Sequence, residues 1–191
     1  MVNLFNLRST HITSMKIVHC IGTVCPASGG PARSVPGLSC GLIRNDVDVT
    51  LVSCRPNDDK PPMIAPLQFV VPNGYDWLKT YIRATILRLA PNIIHDHGIW
   101  QWNNHLVIQS AIQSKIPTVI SPRGMLEPWS LNAKKWKKRF AMWIYQRRDL
   151  MAASALHATV ASEAEQFRKL GFKQPIIISP NGVDFPVVMP P

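Results

Sequence analysis

Four short stretches of this sequence combine glycine, proline, histidine and arginine in patterns that suit ligand chemistry. They are the pair Gly29-Gly30, the run HDHG at 95–98, the run SPRG at 121–124 and the run PNG at 180–182. Each of them follows an apolar run that predicts a β-strand. In open parallel α/β sheets, ligands bind beyond the carboxyl ends of the strands. The sequence therefore predicts one polar site, built from several loops at a single edge of a sheet.

The glycine pair predicts a backbone site for an anion. Pro31 suits the first turn of a helix, so Gly29 and Gly30 would stand at the mouth of that helix. Backbone N–H groups and the helix dipole favour a phosphate there, and glycine allows it to approach closely. Arg33 is unfavourable beside a positive helix end unless an anion is present. We predict that Gly29, Gly30 and Arg33 bind a phosphate group; a tight turn with a solvated arginine is the alternative.

The HDHG run predicts a polar contact with substrate. If the strand continues to residue 97, His95 and His97 share one face and Asp96 points to the other. His97 could position a hydroxyl or act as an acid or base, because the ordinary pKa of histidine lies near neutrality. A structural histidine pair is the alternative. Zinc would need a third ligand at a defined spacing, and the sequence indicates none, so we predict no metal site.

The SPRG run and the residues after it predict contacts with an anionic or polyol ligand. Arg123 could clamp a carboxylate or a phosphate with two hydrogen bonds. Glu127 could accept hydrogen bonds from a sugar-like polyol. A rigid turn with an ion pair across it is the alternative.

The elements that must position these residues alternate along the chain. Apolar runs predict strands, some of them followed by an exit loop, within 16–22, 48–54, 67–73, 92–98, 116–124, 156–161 and 175–184. Helical spacing predicts helices at 31–45, 75–90, 101–115, 134–153 and 162–171. For the last helix, Ser162 and Glu165 predict a capping box and Gly171 predicts the stop. The alternation predicts an α/β, Rossmann-like parallel sheet with helices on both faces.

The helix predicted at 134–153 is basic and aromatic together. Trp136, Phe140 and Trp143 recur at helical spacing among lysines and arginines. Cations interleaved with tryptophan suit an anionic membrane surface. The alternative is that the aromatic stripe packs on the sheet and the cations are solvated. No RNA-binding or helix-turn-helix signature accompanies the charge, so we do not expect nucleic acid as a partner.

Composition sets the remaining limits. The chain has 191 residues, is 46% hydrophobic and carries a net charge of +10, which favours anionic partners. We expect residues 1–14 to be a disordered leader, 15–184 one domain and 185–191 the start of a linker. No apolar run reaches the roughly 20 residues that a membrane span requires. The four cysteines, Cys20, Cys25, Cys40 and Cys54, form no C-x-x-C pair, so we expect buried thiols and a cytoplasmic protein.

Five segments together resemble a known family. They are GGPARSV (29–35), HDHGIW (95–100), SPRGMLEPWSL (121–131), LHATVASEAE (156–165) and SPNGVD (179–184). In this order they are similar to the N-terminal half of a glycosyltransferase of family 4, which has the GT-B fold. The resemblance covers roughly residues 15–184.

The resemblance implies a retaining transfer of sugar from a nucleotide-sugar to a hydroxyl acceptor, in polysaccharide or lipopolysaccharide synthesis. The nucleotide-sugar is a substrate, and neither a cofactor nor a metal is implied. Carried onto this sequence, Gly29 and Gly30 form the diphosphate loop, and Asp96, His97, Arg123, Gly124 and Glu127 line the acceptor cleft. The acceptor would be a sugar or a lipid-linked glycan, and we expect the protein in the cytoplasm or peripherally at the inner face of the plasma membrane.

Two features depart from the family pattern. Some members place a histidine after the fifth strand, where this chain reads Ser121-Pro122-Arg123-Gly124. The motifs of the donor-binding domain are also missing from these 191 residues. We therefore expect a truncated or split transferase that is inactive alone and needs a separate C-terminal domain. The alternative is a non-catalytic α/β module that binds anionic lipid or a protein partner.

Overall fold

The computed structural model describes residues 15–53, 68–70 and 79–182 of the chain. The strands are β1 (Lys16–Ile21), β2 (Asp48–Ser53), β3 (Gln68–Val70), β4 (Ile93–His97), β5 (Thr118–Ser121), β6 (Ala155–Ala158) and β7 (Ile176–Ile178). The helices are α1 (Pro31–Ile43), α2 (Lys79–Leu89), α3 (Trp102–Gln113), α4 (Pro128–Asn132), α5 (Lys135–Ala141), α6 (Arg147–Ala152) and α7 (Ala161–Lys169). The predicted leader, the linker and Cys54 lie outside the described residues.

The strands form one parallel sheet in the order β3-β2-β1-β4-β5-β6-β7. Every pairing between neighbouring strands is parallel. The order runs one way from β1 to β3 and the other way from β4 to β7, so it reverses between β1 and β4. Loops leave a crevice at such a reversal, and ligands of doubly wound folds bind there. The Rossmann-like α/β fold expected from the sequence is confirmed.

Apolar strand residues fill both faces of the sheet. Leu51 and Val49 pack with Val35 of α1 in one buried cluster. Val18 and Ile94 pack with Val107 of α3 in another. Strands that are buried on both faces have continuous apolar sequences, because polar side chains on either face would be removed from water. The same burial makes any polar residue in these strands conspicuous.

The start of α7 differs from the prediction. The capping box of Ser162 and Glu165 is wrong, because the helix begins after Val160 and that residue makes no side-chain cap. Glu163 turns inward instead, where its carboxylate accepts from the Thr159 N–H at 2.8 Å. The predicted stop is confirmed, since Gly171 has φ +85° and donates its N–H to the Arg168 carbonyl. Glycine tolerates this left-handed conformation without a steric cost.

The basic segment is not one uniform helix. It divides into α5 and α6, which are joined by a π-helical turn over Met142–Gln146. Such turns insert an extra residue and rotate the side chains that follow, often near functional sites. Here the turn directs Gln146 inward, where it accepts from the Trp100 N–H at 2.7 Å. Tyr145 donates its hydroxyl to the Trp100 carbonyl at 2.7 Å.

The cysteines of the described residues are mostly buried. Cys20 and Cys40 are buried thiols as expected, and Cys25 is only half-buried. None of the helices in the described part of the chain combines the length and apolarity needed to cross a bilayer.

Candidate functional site

Histidines gather at the carboxyl ends of the central strands. His19 of β1 lies opposite His95 of β4 in the parallel register, and His97 follows two residues later on the same face. The His95 and His97 ring centroids are 4.0 Å apart, and those of His19 and His97 are 5.0 Å apart. His157 of β6 lies with its ring centroid 5.3 Å from that of His95. The sequence analysis singled out His95 and His97 and missed His19 and His157.

Arg123 fixes the hydrogen-bond direction through two of these histidines. Its Nη2, which can only donate, lies 3.0 Å from His97 Nδ1, so that nitrogen accepts. The His97 proton is then on Nε2, which donates to His19 Nδ1 at 2.8 Å. His19 in turn carries its proton on Nε2, which is buried and has no hydrogen-bond partner among the described residues. These tautomers follow from the network, since hydrogens are assigned by their partners.

A second chain of hydrogen bonds runs through Ser121 at the end of β5. His157 donates from Nε2 to the Ser179 carbonyl at 2.9 Å, so its Nδ1 accepts. The Ser121 hydroxyl donates to that Nδ1 at 2.6 Å. The same hydroxyl oxygen then accepts from His95 Nε2 at 2.7 Å. The Arg123 guanidinium therefore sets the tautomers of His97 and His19, because it can only donate. The Ser179 carbonyl, which can only accept, sets those of His157 and His95.

These histidines are neutral at physiological pH. Burial lowers the pKa of His19 to about 4, and the Arg123 charge contributes to this lowering. Burial also holds the pKa of His97 well below its ordinary value, and His95 and His19 add to the effect. The expectation that His97 titrates near neutrality is wrong, because an imidazolium here would lose its water and face a guanidinium. With both ring nitrogens hydrogen-bonded, His97 orients Arg123.

The expectation that a third metal ligand is missing is also wrong. His19, His95 and His97 each offer a ring nitrogen, and these atoms lie within 4.8 Å of one another. A metal ion would have to replace the hydrogen bond between His19 and His97. It would also face the Arg123 guanidinium, and its three candidate ligands are all histidines, with no carboxylate among them. The residues therefore suit an ordered hydrogen-bond chain better than a cation site.

Asp96 does not join this cluster. Its position between His95 and His97 turns it to the opposite face of β4, where it is buried and accepts from Asn104 Nδ2 at 2.7 Å. Burial raises the pKa of the Asp96 carboxyl to about 7, against the lowering effect of the Asn104 hydrogen bond. The expectation of Asp96 and His97 acting together in one cleft is wrong, because the period of two along a strand separates them.

Arg123 and Gly124 turn the chain sharply after β5. Both have left-handed backbone conformations, with φ +55° and φ +72°. The Arg123 guanidinium also donates to the side chain of Asn181, which follows β7. The ends of β4 and β5 and the loop after β7 are therefore joined by direct contacts at one edge of the sheet. Arg123 Nε is buried and without a partner among the described residues.

Gly124 has a local structural role, and Glu127 stands at the start of a helix. The Gly124 N–H donates to Glu163 Oε1 at 2.7 Å, so this amide is already used. Glu127 is half-buried and stands directly before α4, with no side-chain cap of its own. Glu163 is a further residue that the sequence analysis missed. Glu163 stands in the run TVASEAE, where the capping-box spacing from Ser162 indicates Glu165 instead.

The glycine pair lies where the sequence placed it. Gly30 is the residue before α1, with φ −53°, and Gly29 has φ +101°. A Cβ built on either glycine would meet nothing within 4 Å, so the space beside both is open. Arg33 is exposed, and its N–H and that of Ser34 return to the Gly30 carbonyl at 3.0 and 2.9 Å. Pro31 has no N–H, which leaves the amides of Gly30 and Ala32 as the donors of this helix mouth.

Comparisons with solved structures support the fold. The chain is similar to Anabaena Alr3699/HepE in complex with UDP and glucose, with a TM-score of 0.65 at 15% identity, covering 89% of this chain and 45% of that one. It is also similar to S. aureus MnaA solved with UDP, with a TM-score of 0.61, 14% identity, and 87% and 45% coverage. A UDP-N-acetylglucosamine 2-epimerase from Rickettsia bellii gives a TM-score of 0.55 at 14% identity, with 88% and 45% coverage.

The chain thus spans about 45% of the length of each of these three structures. A comparison with curated protein sequences finds no match. The family model described as Glycosyltransferase Family 4 matches residues 28–185, a range that contains the glycine pair, the His95–His97 strand and the Arg123 loop. With the fold and most of its length matched, this chain belongs to Glycosyltransferase Family 4.

Proposed function

We propose that this chain is the acceptor-side half of a retaining glycosyltransferase. The reaction moves a sugar from a nucleotide-sugar to a hydroxyl group of a growing polysaccharide or a lipid-linked glycan. Family membership supports sugar transfer. The chain covers 45% of the structures it resembles, so a second domain would hold most of the nucleotide, in a longer chain or as a separate partner. We expect this protein to act in the cytoplasm.

The observation that carries the proposal is the open helix mouth at Gly30. The loop after β1 and the loop after β4 leave the sheet where the strand order reverses, and that position is the ligand crevice of this fold class. At this mouth the space beside both glycines is open, which lets a phosphate reach the backbone donors. Two structures with the same fold were solved with UDP, so UDP is the probe of choice.

The acceptor would meet the other side of the crevice. Arg123 is a fixed cation there, since His97 and Asn181 both hold its guanidinium. A preorganised guanidinium loses little freedom on binding and can stabilise developing negative charge without reorganising. His97 is the positioning residue that aims it. The chain's own contribution to the reaction is therefore orientation and charge stabilisation, for which holding both reactants in one geometry supplies several kcal/mol.

A titration with UDP tests the phosphate site. Amide signals of Gly30 and Ala32 in ¹H–¹⁵N NMR spectra of residues 1–191 should shift with UDP, even at millimolar affinity. Gly30→Val should abolish these shifts without unfolding the chain, because Gly30 has an ordinary helical φ and open space around it. Gly37→Val, the same exchange further along α1 with equally open space, is the matched control. Equal shifts in the Gly30 variant would assign the glycines to a plain turn.

A transfer assay tests the proposed role as half of an enzyme. Residues 1–191 alone should release no nucleoside diphosphate from a panel of nucleotide-sugars with a lipid-linked or polysaccharide acceptor extract. Addition of the donor-binding half should give acceptor-dependent release. Turnover by the chain alone would contradict the proposal that half of the cleft lies elsewhere.

A further inference from the structure

Four large apolar side chains point away from the protein on one helical segment. We define the aromatic patch as Trp136, Phe140, Trp143 and Ile144, which are 79%, 63%, 82% and 48% exposed. Trp129 of α4, which precedes this segment, is 73% exposed. Contiguous exposed apolar surface of this kind marks interaction sites, because water leaves it poorly solvated. The alternative that the aromatic stripe packs on the sheet is therefore wrong for these residues.

The way the segment is seated explains this exposure. α5 contains no buried residue. The side of the segment that contacts the protein carries Lys138, Tyr145 and Gln146, which reach Ser130 and Trp100 by hydrogen bonds. At about 3.6 residues per turn, Trp136, Phe140 and Trp143 fall together on another face of the segment. Met142 of the same segment also packs against the core, so one side of the segment anchors it and the side with the aromatic patch faces outward.

The surroundings of the aromatic patch are cationic. Residues 134–148 hold seven cations and no acid: Lys134, Lys135, Lys137, Lys138, Arg139, Arg147 and Arg148. Arg139 lies over the Trp136 ring, 5.5 Å from its centroid. The first acid after this run, Asp149, is buried and bound to His105 and Gln109, so it does not screen the surface. The partner must therefore be anionic and must also accept tryptophan.

We propose that the aromatic patch docks on an anionic lipid membrane. Tryptophan rings settle at the headgroup level of a bilayer, and each lysine or arginine near an anionic surface adds to the attraction. A second copy of the chain is a poor occupant, because a two-fold contact would bring two such cationic runs together. The free energy comes from the apolar area that leaves water and from the surface charge, as for interfacial helices.

Docking there would place the candidate site beside the membrane. Lys138 lies over the Trp100 ring, 5.7 Å from its centroid, and also donates to Ser130. Trp100 follows β4, and α4 follows the Arg123 loop, so the patch adjoins the edge that carries the site. This position suits an acceptor that is itself anchored in lipid, an argument that rests on the proposed function. The docking inference does not depend on that function, because it needs neither nucleotide nor transfer.

Vesicle cosedimentation tests the docking. Residues 1–191 should sediment with phosphatidylcholine vesicles that contain one third phosphatidylglycerol, and at least tenfold less with pure phosphatidylcholine. High salt should weaken the binding, since screening acts on exposed charges. Trp136→Ala/Trp143→Ala should reduce binding at least tenfold, and Lys135→Glu/Lys137→Glu should do the same. All four side chains are exposed, so these variants should keep the wild-type melting temperature.

The control is Arg83→Glu/Arg88→Glu, which makes the same change in net charge at exposed positions of α2, a helix that packs on α3. It should bind anionic vesicles nearly as well as the wild type. Equal binding to both kinds of vesicle, no binding to either, or an equal loss in the control would overturn the proposal. If light scattering detects a dimer of the wild type and a monomer of Trp136→Ala/Trp143→Ala, the patch binds a second copy of the chain instead. If single-stranded nucleic acid displaces the vesicles at an equal concentration of phosphate groups, the patch binds nucleic acid instead.

Discussion

Asp96 is the residue whose chemistry departs most from the sequence-based expectation. It was expected to line the acceptor cleft, but it lies on the other face of β4 from His97, with its carboxyl bound to Asn104. Its pKa is about 7 in the folded protein, against an ordinary value of 3.8 for an aspartate in water. Between these values the folded chain holds a proton that the unfolded chain releases. The contribution of Asp96 to stability is therefore lost as the pH rises from about 4 to about 7.

We predict that Asp96→Asn stabilises the protein at pH 8. An asparagine oxygen can still accept from Asn104, but it carries no charge that burial would penalise. Since one pKa unit corresponds to about 1.4 kcal/mol, a gain of about 2 kcal/mol or more in the free energy of unfolding is expected at pH 8. At pH 4 the gain should shrink toward zero. Urea unfolding at both pH values measures it.

Asp48→Asn is the control for this prediction, because Asp48 is a partly exposed strand carboxylate that pairs with an exposed lysine at 3.9 Å. Exposed pairs of this kind contribute little. A stabilisation by Asp96→Asn that is the same at pH 4 and pH 8 would show that the Asp96 carboxyl is not the titrating group.

At the scale of elements, Glu163 connects two loops that carry the site. Its carboxylate accepts from the Gly124 N–H in the loop after β5, and from the Thr159 N–H and hydroxyl after β6. Gly124 directly follows Arg123, so the start of α7 holds the turn that presents the guanidinium. The buried carboxylate satisfies backbone donors that no strand or helix could reach.

We predict that Glu163→Gln lowers the free energy of unfolding by about 1–3 kcal/mol. One carboxylate oxygen becomes an NH₂ group, which faces a backbone N–H and leaves a buried donor without an acceptor. Glu165→Gln is the matched control, since Glu165 is exposed on the same helix and should change stability by less than about 0.5 kcal/mol. Thermal or urea unfolding compares the two.

NMR adds a readout that a purely global loss of stability would not give. The amide signals of Arg123 and Gly124 should move far more in Glu163→Gln than those of α1. Equal stability of the two glutamine variants would contradict the role of Glu163, and so would unchanged signals in the Arg123 loop.

At the scale of the whole molecule, the buried histidines should set the acid stability. Burial lowers the pKa values of His19, His95, His97 and His157 in the fold. Below pH 6.5, the ordinary pKa of histidine, the unfolded chain binds protons at these residues that the folded chain does not bind. The contribution of the four histidines to the free energy of unfolding is therefore complete above about pH 6.5 and is lost as the pH falls toward 4. Asp96 and Asp149 have raised pKa values and act in the opposite direction over the same range.

We predict that the protein loses stability between pH 6.5 and pH 5, because four histidines outweigh two carboxyl groups. Each proton taken up only by the unfolded state costs about 1.4 kcal/mol per pH unit. The loss should be steeper in Asp96→Asn, which removes one opposing group. Urea unfolding at intervals across this range tests both statements. A stability that is constant or rises on acidification would show that the histidines are protonated in the folded protein.

Local sequence determined the framework of this protein. Apolar runs of strand length and helical periodicity predicted the order of the elements, because each pattern follows from burial on two faces or on one. Gly171 predicted the end of α7 from its own backbone freedom. The loops carrying Gly30, His97 and Arg123 were expected at one edge, since parallel strands bring their carboxyl ends together.

Only the tertiary structure decided which side chains meet. His19 and His97 are 78 positions apart and form a hydrogen bond because β1 and β4 are neighbours in the sheet, which no local pattern indicates. The pKa values of these groups depend on burial and on Arg123, so composition could not predict them. The outward direction of Trp136 and Trp143 depends on how the segment is anchored through Gln146 and Tyr145. Periodicity shows that residues share a face, but only packing determines whether that face meets the core or the solvent.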